Sequence, residues 1–229
     1  TIEPGEQVVF LGATGAVKSA LINLIPLFYE VTEGSITIDC VDVREIPKQT
    51  LRQLVGIALQ EALLFQGDVR FNLKFGNPDA EDDTMIEGAK AADAFGFVMN
   101  LPERWEAPVS RRGYNFSGGQ RQRLAISRTL TTQPRVLILD DSTSALDATT
   151  EARVQGAIPE FTNNVTTLYV APRISAVIDL DRIYLLEHGE IVAEGTHEEL
   201  LQSSPLYQEI YESQLGSGIT AGLDVEVGK

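Results

Sequence analysis

Phe-Ser-Gly-Gly-Gln-Arg-Gln-Arg, at residues 116–123, is the most informative part of this 229-residue chain. A Ser-Gly-Gly-Gln turn that opens a basic helix offers unhindered backbone N–H groups, a hydroxyl and a helix N-terminus, all suited to binding phosphate. A short helix later come Val-Leu-Ile-Leu-Asp-Asp, at residues 136–141. An apolar strand that ends in two carboxylates is how phosphate-loop nucleotide hydrolases hold magnesium and position water. Together the two stretches predict a nucleotide-binding α/β protein.

A second phosphate-binding element is predicted near the N-terminus, in Gly-Ala-Thr-Gly-Ala-Val-Lys-Ser at residues 12–19. We call these residues the phosphate loop. They follow a predicted strand and open a predicted helix, which is the context of the pattern G-x-x-x-x-G-K-[ST]. Lys18 is expected to reach the β- and γ-phosphates, and the Ser19 hydroxyl is expected to coordinate magnesium. The alternative is a glycine-rich strand-to-helix turn that binds no ligand.

The phosphate loop and the residue after it depart from the usual pattern at two positions. Val17 stands where a glycine is expected before the lysine. Valine is β-branched, so a positive φ there is an outlier, and its methyl groups crowd the phosphate. The strain is on the order of 1–3 kcal/mol, or roughly ten- to a hundredfold in affinity. Ala20 lacks the hydroxyl that usually follows the magnesium-binding residue, so nucleotide binding is predicted to be weakened but not abolished.

The composition argues against several classes of protein. The balance of 18 Lys and Arg against 33 Asp and Glu gives a net charge of −15, which argues against binding to nucleic acid or anionic lipid through a basic face. No apolar run approaches the roughly 18–20 residues that cross a bilayer, and we expect no signal peptide. The single cysteine, Cys40, fits a reducing compartment. With only His188 and His197 beside it, no zinc site is expected.

Strands and helices are predicted to alternate along the chain, which indicates a parallel sheet covered on both faces. Strands are predicted at residues 6–11, 35–40, 55–59, 135–140, 165–170 and 182–187, and helices at residues 18–29, 196–202 and 206–214. From residue 65 to residue 105 the sequence instead predicts an inserted helical lobe. We therefore expect an ATP-binding core of residues 1–64 and 135–215, a helical subdomain of residues 65–134 and a flexible tail of residues 216–229.

The motifs together resemble the nucleotide-binding domain of the ATP-binding cassette (ABC) family, and the similarity covers almost the whole chain. Residues 64–73 and 75–78 resemble exporter-type domains in particular. Residues 109–113 lie where exporters carry their X-loop, although Arg111 replaces the acidic residue usual there. Ser-Ala-Leu-Asp at residues 144–147 matches the D-loop. The resemblance implies a phosphate-loop NTPase fold of ABC type, with a mainly parallel sheet flanked by helices and an inserted helical subdomain.

The same resemblance implies ATP and Mg²⁺ as cofactors and assigns roles to individual residues. The catalytic roles belong to Asp141, at the position of the glutamate that orients the attacking water, and to Gln60 of the Q-loop. The magnesium ligands implied are Ser19, Gln60 and Asp140. The nucleotide-binding residues implied are Gly12, Thr14, Gly15, Ala16, Val17, Lys18, Ser19 and Ala20 of the N-terminal element, and Ser117, Gly118, Gly119 and Gln120 of the signature turn.

Two further departures from the family pattern occur at positions that take part in ATP hydrolysis. Asp141 is one methylene shorter than glutamate, which moves its carboxylate about 1 Å or more and can cost on the order of a hundredfold. The alternative role for Asp141 is that of a helix-capping or loop carboxylate. Pro172 replaces the switch histidine and supplies neither a side-chain donor nor a backbone N–H. In the family, each ATP lies between one domain's own motifs and the partner's signature, so Val17, Ala20, Asp141 and Pro172 all face one nucleotide.

This pattern resembles the degenerate half of an asymmetric, heterodimeric exporter, because the signature turn is intact and faces the other nucleotide. The predicted function is a transport motor on the cytoplasmic face of the membrane, with strongly reduced ATPase activity at its own site. Its predicted partners are a second ABC nucleotide-binding domain and the transmembrane domains of an exporter, with no nucleic acid. The alternatives are a non-hydrolytic regulatory or dimerisation module and an ABC ATPase of DNA repair, against which the exporter-like segment and the charge both count.

Two smaller expectations complete the interpretation. ABC domains usually begin with a strand pair and an aromatic residue that stacks on adenine, and this sequence starts just before the phosphate loop, so adenine contacts are expected to be poor. The aromatic residues Phe95, Phe97 and Trp105 either line a groove for a transmembrane coupling helix or form the core of the helical lobe. The core is favoured, since aromatic spacing of this kind is unspecific.

Overall fold

The computed structural model describes residues 1–12, 17–162, 165–170, 178 and 180–216. Within these residues the chain forms ten strands and nine α-helices. The strands are β1 (Gln7–Leu11), β2 (Thr37–Ile38), β3 (Val41–Asp42), β4 (Val55–Ala58), β5 (Gly67–Asp68), β6 (Pro108–Val109), β7 (Val136–Asp140), β8 (Thr166–Val170), β9 (Arg182–Glu187) and β10 (Glu190–Gly195). The helices are α1 (Lys18–Leu24), α2 (Lys48–Leu54), α3 (Val69–Lys74), α4 (Asp82–Ala91), α5 (Phe95–Met99), α6 (Gly118–Thr131), α7 (Ala148–Thr162), α8 (His197–Ser203) and α9 (Pro205–Tyr211).

A six-stranded sheet in the order β10-β9-β1-β8-β7-β4 forms the centre of the fold. Its pairs are parallel except for β9 with β10, which run antiparallel. In each of β1, β7 and β8, four of the five residues are buried. Strands that are covered on both faces are expected to be almost continuously apolar, as these are. The mainly parallel sheet flanked by helices that the sequence predicts is therefore confirmed.

Alternate residues of the central strands belong to two separate apolar clusters, one on each face of the sheet. Val9 and Leu11 of β1 lie in the larger cluster, which also contains buried residues of α3, α4, α6, α7, α8 and α9. Val8 and Phe10 of the same strand lie in the smaller cluster, with buried residues of α1 and α2. Both faces of the sheet are therefore covered by helices. The C-terminal ends of its parallel strands are left to form a site.

Two of the predicted element boundaries are wrong, and each has a local cause. The strand expected at residues 35–40 is shorter, because Asp39 (φ 50°) and Cys40 (φ 65°) form the turn between β2 and β3. Two successive positive φ values are the mark of a tight two-residue hairpin turn. The helix expected at residues 18–29 ends at Leu24. Pro26 has no N–H with which to continue the helix, and Leu27 then takes a φ of 55°.

The segment between β4 and β7 consists mainly of helices α3 to α6, with a small sheet of β5 and β6. Phe95, Phe97 and Trp105 are partly buried and pack against the larger apolar cluster, as the core interpretation predicts. Asp93, in the turn after α4, pairs with Arg123 of α6 at 3.0 Å and with Arg153 of α7 at 3.4 Å. This carboxylate therefore joins the inserted helices to a helix that covers the sheet. Among the described residues, no helix combines the length and the apolar character needed to cross a membrane.

Candidate functional site

The C-terminal ends of β1 and β7 bring the phosphate loop and the two adjacent aspartates to one edge of the sheet. Gly12 follows β1 directly, Lys18 begins α1, and Asp140 is the last residue of β7. Ligands of open α/β sheets bind outside the carboxyl ends of the strands, so this is the expected edge. The predictions for Thr14, Gly15 and Ala16, and that for Pro172, lie outside the described residues.

Val17 has the left-handed backbone that the sequence pattern reserves for glycine. Its φ is 63° and its ψ is 17°, and it occupies the N-cap of α1 without a side-chain hydrogen bond to the helix. The side chain is 53% exposed, so little packing holds the residue in this conformation. Because Cβ and the branched methyl groups disfavour the left-handed region, Val17 is a position of backbone strain.

Lys18 and Ser19 connect the start of α1 to the strand ends. The Lys18 ammonium donates to the carbonyl of Gly12 at 2.6 Å, which holds the two ends of the phosphate loop together. The Ser19 hydroxyl donates to Oδ1 of Asp140 at 2.9 Å. Ala20, the next residue, is exposed and adds no polar group to this contact. A lysine, a hydroxyl and a carboxylate are thus placed side by side.

The electrostatics of this group are those of charges held partly out of water. Burial raises the pKa of Asp140, and the Ser19 hydrogen bond and the Lys18 charge oppose that rise. Burial also lowers the pKa of Lys18, against the opposing charges of Asp140 and Asp141. Desolvation therefore disfavours both the Asp140 carboxylate and the Lys18 ammonium. A bound ligand of opposite charge beside either group would offset that cost.

Gln60 and Asp141 lie beside this group and contact each other. The Gln60 amide donates to Oδ2 of Asp141 at 2.8 Å. Asp141 itself has a φ of 46°, and its backbone N–H donates to the carbonyl of Val170 at the end of β8 at 2.9 Å. The geometry thus places Asp141 at the strand ends with its carboxylate turned to the Q-loop glutamine.

The side chains present fit a magnesium ion. Ser19, Asp140 and Gln60 offer a hydroxyl, a carboxylate and an amide oxygen, and Mg²⁺ prefers oxygen ligands with only one or two carboxylates. The buried Asp140 carboxylate, whose pKa burial raises, lies within hydrogen-bond distance of the hydroxyl. In the described part of the chain, no group of three or more His, Cys, Asp or Glu side chains could hold a metal ion. The donor set therefore suits a hard cation bound together with phosphate.

The signature turn (Ser117–Gln120) begins α6 with a reciprocal pair of hydrogen bonds. The backbone N–H of Gln120 donates to the Ser117 hydroxyl at 3.2 Å, and the backbone N–H of Ser117 donates to the Gln120 side chain at 2.9 Å. This capping box fixes the turn, and Gly118 and Gly119 carry no side chains that would cover the helix N-terminus. An exposed, positively polarised helix end of this kind is suited to an anion.

Gln122 is a site residue that the sequence interpretation missed. It is 4% exposed, and its side chain accepts a hydrogen bond from the backbone N–H of Ala145 at 2.8 Å. Its amide donates to the Ser144 hydroxyl at 3.2 Å and approaches the Gln60 carbonyl at 3.5 Å. The available signal was helical spacing, because position 122 shares a helix face with the apolar positions Ala125 and Ile126.

Three exposed aromatic residues form a second feature that the sequence interpretation missed. Phe65, Phe71 and Phe75 are 43%, 45% and 47% exposed. The rings of Phe65 and Phe75 stack with centroids 4.1 Å apart, and Phe71 meets Phe75 edge-on at 5.6 Å. We call these residues the aromatic patch. In the segment predicted as the X-loop, Arg112 pairs with Glu61 at 2.7 Å.

Known proteins similar to this chain have been identified by sequence and by structure. The family model described as ABC transporter matches residues 1–144. The chain is 43% identical over 214 residues to multidrug export ATP-binding/permease proteins of Staphylococcus aureus strains NCTC 8325 and COL, covering 93% of this chain and 37% of each relative. A bacterial Atm1-family ABC exporter, solved with ATP bound, matches with a TM-score of 0.88 and 32% identity over 98% of this chain and 38% of that chain.

These comparisons agree with the geometry of the site. The matched residues 1–144 include the phosphate loop, the signature turn and both aspartates at the end of β7. The chain spans a little more than a third of the length of the curated relatives it matches, at 37%. The phosphate loop follows a strand of the parallel sheet, the signature turn lies in the helical insertion, and the family model matches more than half of the chain. The chain therefore belongs to the ABC transporter family.

Proposed function

We propose that this chain is the ATP-binding motor domain of an ABC exporter. In this proposal it binds ATP with Mg²⁺, pairs with a second nucleotide-binding domain and lends its signature turn to that partner's site. Its own site hydrolyses ATP slowly or not at all. The observation that carries the proposal is the contrast between Val17, a β-branched residue at φ 63° in the phosphate loop, and the fully formed capping box of Ser117 and Gln120.

At the chain's own site, the described residues divide the work of binding. Lys18 would pair with the phosphates, while Ser19, Asp140 and Gln60 would hold the cation. The chemistry supplied by bound magnesium is neutralisation of charge on the β- and γ-phosphates. Gly12 and Val17, at the two described ends of the phosphate loop, would flank the phosphates, and the Val17 methyl groups would crowd them.

Proton transfer at this site falls to Asp141, which accepts the proton of the attacking water through a carboxylate oxygen. Two features weaken it in that role. Its side chain is short by one methylene, which moves the carboxylate by about 1 Å and costs on the order of a hundredfold. Its Oδ2 already accepts a hydrogen bond from Gln60 at 2.8 Å, which competes with the water. Slow hydrolysis follows from both.

At the partner's site, the signature turn contributes backbone donors. The Ser117 hydroxyl and the N–H groups of Gly118 and Gly119 meet the terminal phosphate of the partner's ATP at the N-terminus of α6. They stabilise negative charge that develops during hydrolysis, without transferring a proton. The turn is held by its capping box, so it is preorganised for this task.

The exporter's transmembrane domains are the other partner in the proposal. The aromatic patch of Phe65, Phe71 and Phe75 is the docking surface, since three large apolar side chains exposed together mark an interface. The relatives are named ATP-binding/permease proteins, which supports attachment of such a domain to a membrane part. The domain would then lie on the cytoplasmic face of the membrane, with residues 65–134 as the subdomain that meets the permease.

Measuring ATP binding and hydrolysis with and without a partner cassette tests the proposal. Alone, the chain is expected to hydrolyse ATP very slowly, and addition of a partner with a complete site is expected to restore turnover. That turnover should fall when Gly119→Asp places a negative charge in the signature turn and should hardly change with Asp141→Asn. Fast hydrolysis by the chain alone, abolished by Asp141→Asn, would contradict the proposal.

A matched gain-of-function variant completes the design. The combined changes Val17→Gly, Asp141→Glu and Pro172→His supply the residues that the family pattern expects. They are expected to give turnover at the chain's own site once a partner contributes its signature. Binding of ATP and of the partner cassette without any turnover in the complex would instead indicate a regulatory module.

A further inference from the structure

The strongest unassigned feature of the molecule is the buried amide of Gln122. Its oxygen accepts from the Ala145 N–H at 2.8 Å, and its nitrogen donates to the Ser144 hydroxyl at 3.2 Å. The same nitrogen lies 3.5 Å from the Gln60 carbonyl. One side chain on α6 therefore contacts two loops that follow different strands, the loop after β4 and the loop after β7.

Both loops belong to the chain's own nucleotide site. Gln60, whose carbonyl faces Gln122, donates through its side chain to Asp141. Ser144 and Ala145 follow Asp141 in the same loop, and the Ser144 N–H donates to the Asp141 carbonyl at 3.3 Å. Any movement of Gln60 or Asp141 when a nucleotide binds is therefore passed to the partners of the Gln122 amide.

The signature turn rests on the same loop. A Cβ added at Gly119 would lie 3.1 Å from the Ala145 carbonyl and 3.4 Å from Leu146, so the turn and the loop are packed at backbone distance. Gln122 is the fifth residue of the helix that Ser117 caps, so it lies at the start of the second turn. The signature turn cannot shift relative to Ala145 without changing the hydrogen bond between Ala145 and Gln122.

We propose that Gln122 is a positioning residue that couples the occupancy of the chain's own site to the placement of its signature turn. The inference rests on the proposed function, because the turn acts on the partner's ATP. Gln122 touches neither nucleotide and holds Ser144, Ala145 and Gln60 in register with the helix N-terminus. In this proposal the chain's own nucleotide site, with its strained Val17 and short Asp141, has a regulatory role. Its occupancy determines how the signature turn is placed at the partner's site.

Both ends of the amide are needed for this role. Gln122→Met keeps the length and removes every hydrogen bond. Gln122→Glu keeps an acceptor for the Ala145 N–H, but it places a negative oxygen opposite the Gln60 carbonyl. Gln208→Met is a matched control on α9, because Gln208 donates through its amide to the Leu201 carbonyl at 2.6 Å in a part-buried setting that involves neither loop.

The first experiment measures steady-state ATP hydrolysis by the chain in complex with a partner cassette. Gln122→Met is expected to lower kcat at least tenfold while KM and the chain's own affinity for ATP stay within twofold. Gln122→Glu is expected to recover part of that loss, and Gln208→Met is expected to behave as the unaltered chain. A kcat for Gln122→Met no lower than that of Gln208→Met overturns the inference.

The second experiment needs no hydrolysis and separates this inference from the proposed function. Amide hydrogen exchange of the 229-residue chain is followed with and without millimolar ATP and Mg²⁺. In the unaltered chain, nucleotide is expected to slow exchange both at residues 144–147 and at the signature turn. In Gln122→Met, only residues 144–147 should respond. A signature turn that responds equally in both chains, or in neither, overturns the coupling, whereas failure of calorimetry to detect any ATP binding counts against the proposed function itself.

Discussion

Replacing Val17 with glycine tests whether the phosphate loop stores backbone strain. At φ 63° and ψ 17° a β-branched residue costs on the order of 1–3 kcal/mol relative to an unstrained backbone. Glycine removes that cost, but it frees the unfolded chain by about 0.4–1 kcal/mol. Loss of a side chain that is 53% exposed removes roughly 1 kcal/mol of burial. The terms nearly cancel, so Val17→Gly is expected to change the free energy of unfolding by less than about 1 kcal/mol.

Val41→Gly is the matched control, because it makes the same chemical change without the strain. Val41 is 43% exposed in β3 and is absent from the residues with positive φ in the described chain. With no strain to relieve, its replacement is expected to cost about 2 kcal/mol, or a fall of roughly 4–8 °C in Tm. The difference between the two variants therefore isolates the strain at Val17.

Urea and thermal unfolding followed by circular dichroism measure both variants. Equal losses of stability in Val17→Gly and Val41→Gly would refute the strain at Val17. Calorimetric titration with ATP and Mg²⁺ then measures the second effect, the removal of three side-chain carbons from the loop. Affinity is expected to rise, by up to about tenfold for each 1.4 kcal/mol of crowding removed.

Three further changes have expected outcomes. Asp140→Asn is expected to raise Tm at pH 7 and to abolish magnesium-dependent ATP binding. Burial raises the pKa of Asp140, so the protonated carboxyl favours the folded state and that contribution is lost as pH rises through the folded-state pKa. The gain in Tm from Asp140→Asn should therefore shrink as pH falls from 7 to 4. Asp141→Glu is expected to raise own-site hydrolysis in the complex, by at most about a hundredfold in a single-turnover assay. Gly119→Ala places a Cβ 3.1 Å from the Ala145 carbonyl and is expected to slow partner-site turnover, measured as kcat, without changing the chain's own ATP affinity by calorimetry.

The parts of the fold that the sequence predicts are those with a local cause. β1, β7 and β8 are found almost where they are predicted, because their apolar runs are buried on both faces of the sheet. The capping box at Ser117 and Gln120 follows directly from residue types three positions apart. The residues of the candidate site share an edge for a different reason, because parallel strands place their C-terminal ends on the same side of the sheet.

The parts that the sequence does not predict depend on contacts between distant segments. Cys40 and Asp141 have positive φ values although neither is glycine, and no local pattern marks Asp141 as such a position. The hydrogen-bond partners of Gln122 are separated from it by 22, 23 and 62 positions in the sequence. Its burial therefore follows from how α6 packs on two loops. The aromatic patch is exposed because three side chains of one segment face away from the core, which composition alone does not reveal.

The strained backbone at Val17 is physically separate from the capping box that holds the signature turn. Strain at Val17 acts on the N-terminus of α1, a seven-residue helix without a side-chain cap. The signature turn depends instead on the capping box of α6 and on packing against Ala145, and neither includes a residue of the phosphate loop. Gln60 contacts both groups, through its side chain to Asp141 and through its carbonyl to Gln122. Strain at Val17 can therefore act on the phosphate loop without distorting the signature turn, and the two groups meet at Gln60 and in the loop that follows Asp141.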